Sequence, residues 1–163
     1  MPAFSSKGEI QVKPGFVVHG TSAVTSNEAE MKGQGVIADQ WAKFYQNRVL
    51  EKIASRANDA VIALYTRYES DETGFYTYAL GAEVAQAQQE PADGLEQFVI
   101  PSCRYKVFTT RRGPVQEVVM EAWKEIWAWS KHHERAFLTD FEVYDSRAAD
   151  PRNSQVDIYI SVK

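Results

Sequence analysis

Glu142 stands in the run Phe137–Tyr144, with Phe141 and Val143 as direct neighbours and Leu138 and Tyr144 close by. A carboxylate in an apolar strand costs free energy unless something compensates it. A bound cation would supply that compensation. Tyrosines would complete such a site: Tyr144 and Tyr159 on the face of the acid, joined by Tyr68 through an internal repeat. Ring faces attract cations by about 0.5–2 kcal/mol each. Burying a drug-sized apolar surface adds roughly 25 cal/mol/Å² before entropy losses. On these magnitudes the apolar walls dominate affinity, at a micromolar level, and Glu142 sets the preference for charge. The plainer alternative is that Glu142 is an edge-strand acid facing water.

Other reactive side chains form weaker patterns. His132 and His133 precede Glu134, but they follow a helix end and lack a third ligand at metal-binding spacing. Cys103 has no histidine partner at a spacing that would make it a nucleophile. There is no glycine-rich phosphate loop and no G-x-S-x-G. Gly113–Pro114 at a helix start is explained by turn chemistry. Neither a cofactor nor a metal is expected.

The elements that would position the acid follow from periodicity. Phe16–Val24 reads as a strand after Pro14–Gly15, and Ser26–Asn27 offers an N-cap to a short acidic segment. Ile37, Trp41 and Phe44 fall on one helical stripe. Val49, Leu50 and Ile53 suggest a further short turn of helix. Val61–Glu69 and Phe75–Val84 form a hairpin around SDETG, and Leu95–Ile100 and Cys103–Thr110 are two more strands. A helix starts with Pro114 at its first position. Its buried stripe is Val115, Val118, Val119, Ala122, Ile126 and Ser130, with Trp123 and Trp127 on the flank. Lys131 and His132 fall in its last turn, where positive charge suits the helix dipole.

A second hairpin closes the chain. There, Phe141 and Val143 should face one way, and Asp140, Glu142 and Tyr144 the other. The aliphatic face is expected to meet the helices. The opposite face, with Glu142, Tyr144 and Tyr159, would line a cleft, joined by Thr66 and Tyr68. The element order reads as strand–helix–strand–strand used twice, and Tyr65–Asp71 echoes Phe141–Arg147 locally. The expected architecture is one α+β domain over 1–163, an antiparallel sheet with two helices, with repeats at about 14–94 and 95–163.

Composition narrows the function. Net charge is −4 and the basic clusters, Arg111–Arg112 and Lys131–His133, are short. Direct nucleic-acid binding normally needs a basic footprint, so none is expected. A single cysteine suits a reducing cytoplasm. MPAFSSKGEIQVK has no apolar core of a signal peptide, and no apolar run reaches the ~18 residues of a membrane span.

With these residues in hand, the chain resembles the GyrI-like, AraC-type effector-binding domain family. The likeness rests on IADQWAKF, ALYTRYESDETGFYTYALGAEV, YKVFTTRRGPVQEVVMEAWKEIWAW and the C-terminal FEVYDSRAADPRNSQVDIYISVK, which matches best. The resemblance implies a duplicated fold with a ligand cleft between its halves. In the family's multidrug sensors a buried glutamate ringed by aromatics contacts cationic lipophilic drugs, and that position falls on Glu142. A helix-one pocket aromatic falls on Trp41, and the candidate ligand-binding set with the resemblance in hand is Glu142, Trp41, Tyr68, Tyr78 and Tyr144. Other pocket aromatics do not transfer, since Gln116, Glu117 and Ser154 occupy their places. Regulators of the family fuse this domain to a helix-turn-helix reader, for which the first dozen residues leave no room. The chain is similar to the stand-alone members, some of them mobile integron cassette proteins. Such a protein would sequester a cationic small molecule, or signal as a homodimer or through a separate DNA-binding partner. The family also offers two alternatives: hydrolysis of cyclopropane-type electrophiles with Glu142 as acid or base, and inhibition of a topoisomerase by surface contact. A haem role ranks below these. A binding protein rather than an enzyme is the expectation.

Overall fold

The computed structural model of this chain describes residues 4–5, 10–86 and 90–163. The strands are β1 (Phe4–Ser5), β2 (Ile10–Lys13), β3 (Phe16–Ser26), β4 (Val61–Thr66), β5 (Phe75–Glu83), β6 (Glu96–Ile100), β7 (Cys103–Thr110), β8 (Thr139–Tyr144) and β9 (Asp157–Val162). Among the described residues they form one sheet in the order β1-β7-β9-β8-β4-β5-β3-β6, with β2 also paired to β7. The helices are α1 (Asn27–Met31), α2 (Ile37–Gln46), α3 (Val49–Lys52) and α4 (Val115–Ser130). Only α2 and α4 are long enough to cover the sheet; α1 and α3 are the short turns that Ser26 and Val49 announced.

The strand order is a palindrome about its centre. The segment β3-α2-β4-β5 pairs its first strand with its last, as does β7-α4-β8-β9. The two middle strands, β4 and β8, pair antiparallel, with Ala63 opposite Glu142. Each segment also lends the strand before it to the other: β2 pairs with β7, and β6 with β3. Ile10–Lys13, ahead of the first strand expected from the sequence, is thus a strand as well.

Local chemistry sets the boundaries. The Ser26 side chain accepts a hydrogen bond from Ala29 N and caps α1. Arg67 takes a left-handed conformation (φ 51°), so β4 stops at Thr66 and does not run to Glu69. Pro114 is the N-cap of α4 and not its first helical residue, because its ψ of 129° is extended. Helix α4 ends at Ser130, and its last turn carries no base; Lys131 is the C-cap and His132 lies beyond it. The buried stripe of α4 is Val118, Ala122, Trp123 and Ile126. Trp123 therefore lies in the stripe and not beside it, because its N–H finds an acceptor underneath. Ser130 is only half-buried.

The faces of the sheet differ from the expectation. Alternation within β8 holds, since Phe141 and Glu142 point apart. However, Glu142 lies opposite Ile158, and Phe141 opposite Tyr159, whose ring it stacks on at 4.6 Å. Tyr159 therefore leaves the Glu142 face, and Ile158 and Ile160 share it, packing with Phe108, Ala122 and Ile126 under α4. Phe141 meets no helix. It packs with Phe98 and Ile100 of β6 and Tyr105 of β7, strands from the two ends of a curled sheet. Both faces are buried, one by helices and one by the curl, so apolar character alone could not distinguish them. Thr66 pairs with Thr139 and points away from the Glu142 face, its hydroxyl 2.8 Å from that of Thr139. The local echo of Tyr65–Asp71 in Phe141–Arg147 is therefore one residue out of phase.

Candidate functional site

Between α2 and α4, above the central β4–β8 pair, lies a cavity of about 710 Å³. This is within the range of drug-sized ligand sites, about 300–1,000 Å³. Its walls include Trp41 and Tyr45 of α2, Tyr65 of β4, Tyr78 of β5, and Trp123 and Trp127 of α4. Glu142 is on its floor, 1% exposed. All five residues proposed from sequence, Glu142, Trp41, Tyr68, Tyr78 and Tyr144, line this one cavity.

Glu142 is held by three neutral donors. Tyr65 Oη and Trp123 Nε1 each donate to Oε2 at 2.7 Å, and Tyr144 Oη donates to Oε1 at 2.6 Å. Burial pushes the Glu142 carboxyl above the ordinary glutamate value, while the bonds from Tyr144, Trp123 and Tyr65 oppose that rise. Burial, followed by the Glu142 charge, also holds Tyr65, Tyr78 and Tyr144 well above the ordinary tyrosine value. These phenols stay protonated, and those of Tyr65 and Tyr144 keep donating to Glu142. No cation of the chain touches Glu142 among the described hydrogen bonds and ion pairs.

The predicted residues play different local parts. Trp41 donates from Nε1 to Tyr78 Oη at 2.7 Å and meets Tyr144 edge to face at 4.8 Å. Only Tyr144 of the predicted tyrosines touches Glu142. Tyr68 follows the break at Arg67 and donates to Asp140 Oδ2 at 2.5 Å. Asp140 also accepts from Arg135 Nη2 at 2.7 Å and from the Ser161 amide and hydroxyl. Arg135 and Asp140 form a fully buried ion pair.

Sequence reasoning missed Tyr65, Trp123, Trp127 and Arg135. Tyr65 and Trp123 had a legible signal. A buried carboxylate needs donors, and a buried Trp N–H needs an acceptor; the two demands match. Arg135 sits in the loop before β8, where no periodicity marks it.

Among the described residues, no group of His, Cys, Asp and Glu could hold a metal ion. No helix there is long and apolar enough to cross a membrane.

The curled, duplicated sheet with a cleft between two helices is the GyrI-like effector-binding fold. Residues 9–162 match the family described as Cass2, integron-associated effector binding protein, and the chain belongs to that family. It is 39% identical over 147 residues to YobU of Bacillus subtilis (strain 168), a protein ascribed to transcriptional regulation, covering 88% of this chain and 90% of YobU. An integron cassette protein from the mobile metagenome of Vibrio cholerae, VCH_CASS2, has a similar structure (TM-score 0.76, 31% identity, 98% of this chain and 97% of that one). The structure of SAV2435 bound to tetraphenylphosphonium superposes with a TM-score of 0.74 at 18% identity, over 96% of this chain and 94% of that one.

Proposed function

We propose that this protein binds cationic, lipophilic aromatic compounds in the α2–α4 cavity. The observation that carries this reading is Glu142, a buried carboxylate on the floor of an aromatic cavity, with neutral hydrogen bonds and no countercharge. A guest's positive centre would complete the electrostatics that Tyr65, Trp123 and Tyr144 only begin. Trp41, Tyr68, Tyr78 and Tyr144 supply ring faces and apolar wall. The tetraphenylphosphonium held by the similarly folded SAV2435 is a guest of this kind. Membership of an effector-binding family supports a role in drug sensing or sequestration. The signal would pass through a second copy or a separate DNA-binding partner. A cytoplasmic setting, consistent with the free Cys103, belongs to the same reading.

The test is a titration with a cationic rhodamine, followed by tryptophan fluorescence. Wild type is expected to bind at micromolar level. Glu142→Gln keeps the shape, and the Tyr144 hydroxyl can turn to accept from the new amide, so mainly the charge is lost. The variant should bind about thirtyfold more weakly, near 2 kcal/mol. Equal binding by the two proteins would refute the role given to the charge.

A further inference from the structure

The cavity wall carries more hydrogen-bond donors than its own acceptors use. Both oxygens of Glu142 are engaged by Tyr65, Trp123 and Tyr144. By contrast, Trp127 Nε1 and Arg135 Nε and Nη1 are buried and, among the described residues, have no hydrogen-bond partner. Trp127 and Arg135 both line the cavity. Both also flank Trp123, whose indole centroid lies 6.2 Å from that of Trp127 and whose ring is 6.0 Å from the Arg135 guanidinium. The unspent donors are therefore neighbours of the carboxylate's own hydrogen-bond partner. A guanidinium offers five N–H groups, and the side-chain hydrogen bond that Arg135 makes is from Nη2 to Asp140. Its central carbon lies over the Phe137 ring, 4.3 Å from the centroid, which gives the charge some company but no acceptor. Buried donors left unmet are costly, so a guest that supplies an acceptor gains what the empty wall forgoes.

We propose that Trp127 and Arg135 form an acceptor subsite. The guest is then a lipophilic cation that also carries a neutral hydrogen-bond acceptor, such as a carbonyl or ether oxygen. Its positive centre faces Glu142 and its oxygen takes the N–H of Trp127 and the free edge of Arg135. A neutral oxygen suits the wall better than a carboxylate. Asp140 already balances Arg135, and Glu142 repels a second anion. This inference rests on the cation-binding reading above and narrows it to a chemical class.

The test compares triphenylphosphonium cations whose fourth ring carries either an acetyl or an isopropyl group, in the meta or the para position. The two groups are nearly the same shape, but only acetyl accepts a hydrogen bond. Calorimetry with the full chain should show the better acetyl isomer binding about tenfold more tightly than its isopropyl twin. Trp127→Phe keeps an aromatic ring and drops the N–H, and should cut that ratio to about threefold. Arg135→Lys keeps a charge for Asp140 while removing the free guanidinium edge, and should cut it similarly. Each ratio is read within one protein, so a general loss of affinity cancels. If Arg135→Lys does not fold, Trp127→Phe decides. Equal binding of acetyl and isopropyl twins by wild type, or a ratio unchanged in the variants, overturns the acceptor subsite and leaves the cation reading standing. If wild type binds none of these cations, both fall.

Discussion

Asp140 and Glu142 stand two residues apart on the same face of β8, 0% and 1% exposed. Their surroundings are opposite. Asp140 has a cation of the chain, Arg135, at 2.7 Å, and donors from Tyr68 and Ser161 besides. Glu142 has two phenols and an indole, and no cation. Desolvating a carboxylate is costly in both places. The chain meets that cost internally at Asp140 and only partly at Glu142. A fully neutralised acid is structural, whereas a partly compensated one is open to a positive guest. The difference lies in the donors, not in burial or in position along the strand.

Breaking the internal pair should have the largest effect. Arg135→Met strands Asp140 in the interior and should lower unfolding free energy by about 3–5 kcal/mol in a urea titration. Glu142→Gln removes a desolvated charge that nothing neutralises, and should change stability by less than about 1 kcal/mol. Two similar losses would mean that both acids are structural.

Acid titration sharpens the contrast. The folded-state pKa of Glu142 is raised, so its contribution to stability is full below the ordinary glutamate value. That contribution is lost as pH rises through the raised value. The stability of Glu142→Gln relative to wild type should therefore grow over this interval, as read by thermal unfolding at a series of pH values. Cation affinity should rise over the same interval, with a proton released on binding. Calorimetry in buffers of different ionisation enthalpy would detect that proton. Affinity that is flat with pH would place the charge elsewhere.

A further comparison concerns one donor. Tyr144→Phe takes away the bond to Glu142 Oε1. It should move the Glu142 titration further up and cost about 1–2 kcal/mol of stability at neutral pH. The matching Tyr68→Phe should leave that titration in place, since its hydroxyl serves Asp140.

Much of this could be read from residue order. Strand and helix periods placed β3, α2, the β4–β5 hairpin, β7, α4 and the final hairpin close to where they lie. An acid between Phe141 and Val143 marked Glu142 as a candidate, the family resemblance decided against a water-facing edge acid, and Trp41, Tyr68, Tyr78 and Tyr144 do line its cavity. What could not be read was cross-strand register. Whether Glu142 or Phe141 faces Tyr159 depends on the Asp145–Val156 connection, which alternation within each strand does not constrain. Arg67 breaks β4 by a left-handed turn that no glycine announces, so Tyr68 reached the right cavity while Thr66 did not. Arg135 was hidden because loop residues carry no period, and its role exists only through a partner five positions on.

The lending of β2 to β7 and of β6 to β3 has a mechanical consequence. Three separate ladders, β2–β7, β4–β8 and β3–β6, cross between the α2 and α4 segments. The two halves are thus laced at both rims of the sheet as well as along the β4–β8 seam beneath the cavity. They cannot swing apart like jaws without unzipping a rim. A bulky guest of the kind proposed would be admitted by side chains swivelling and helices sliding over a frame that stays shut.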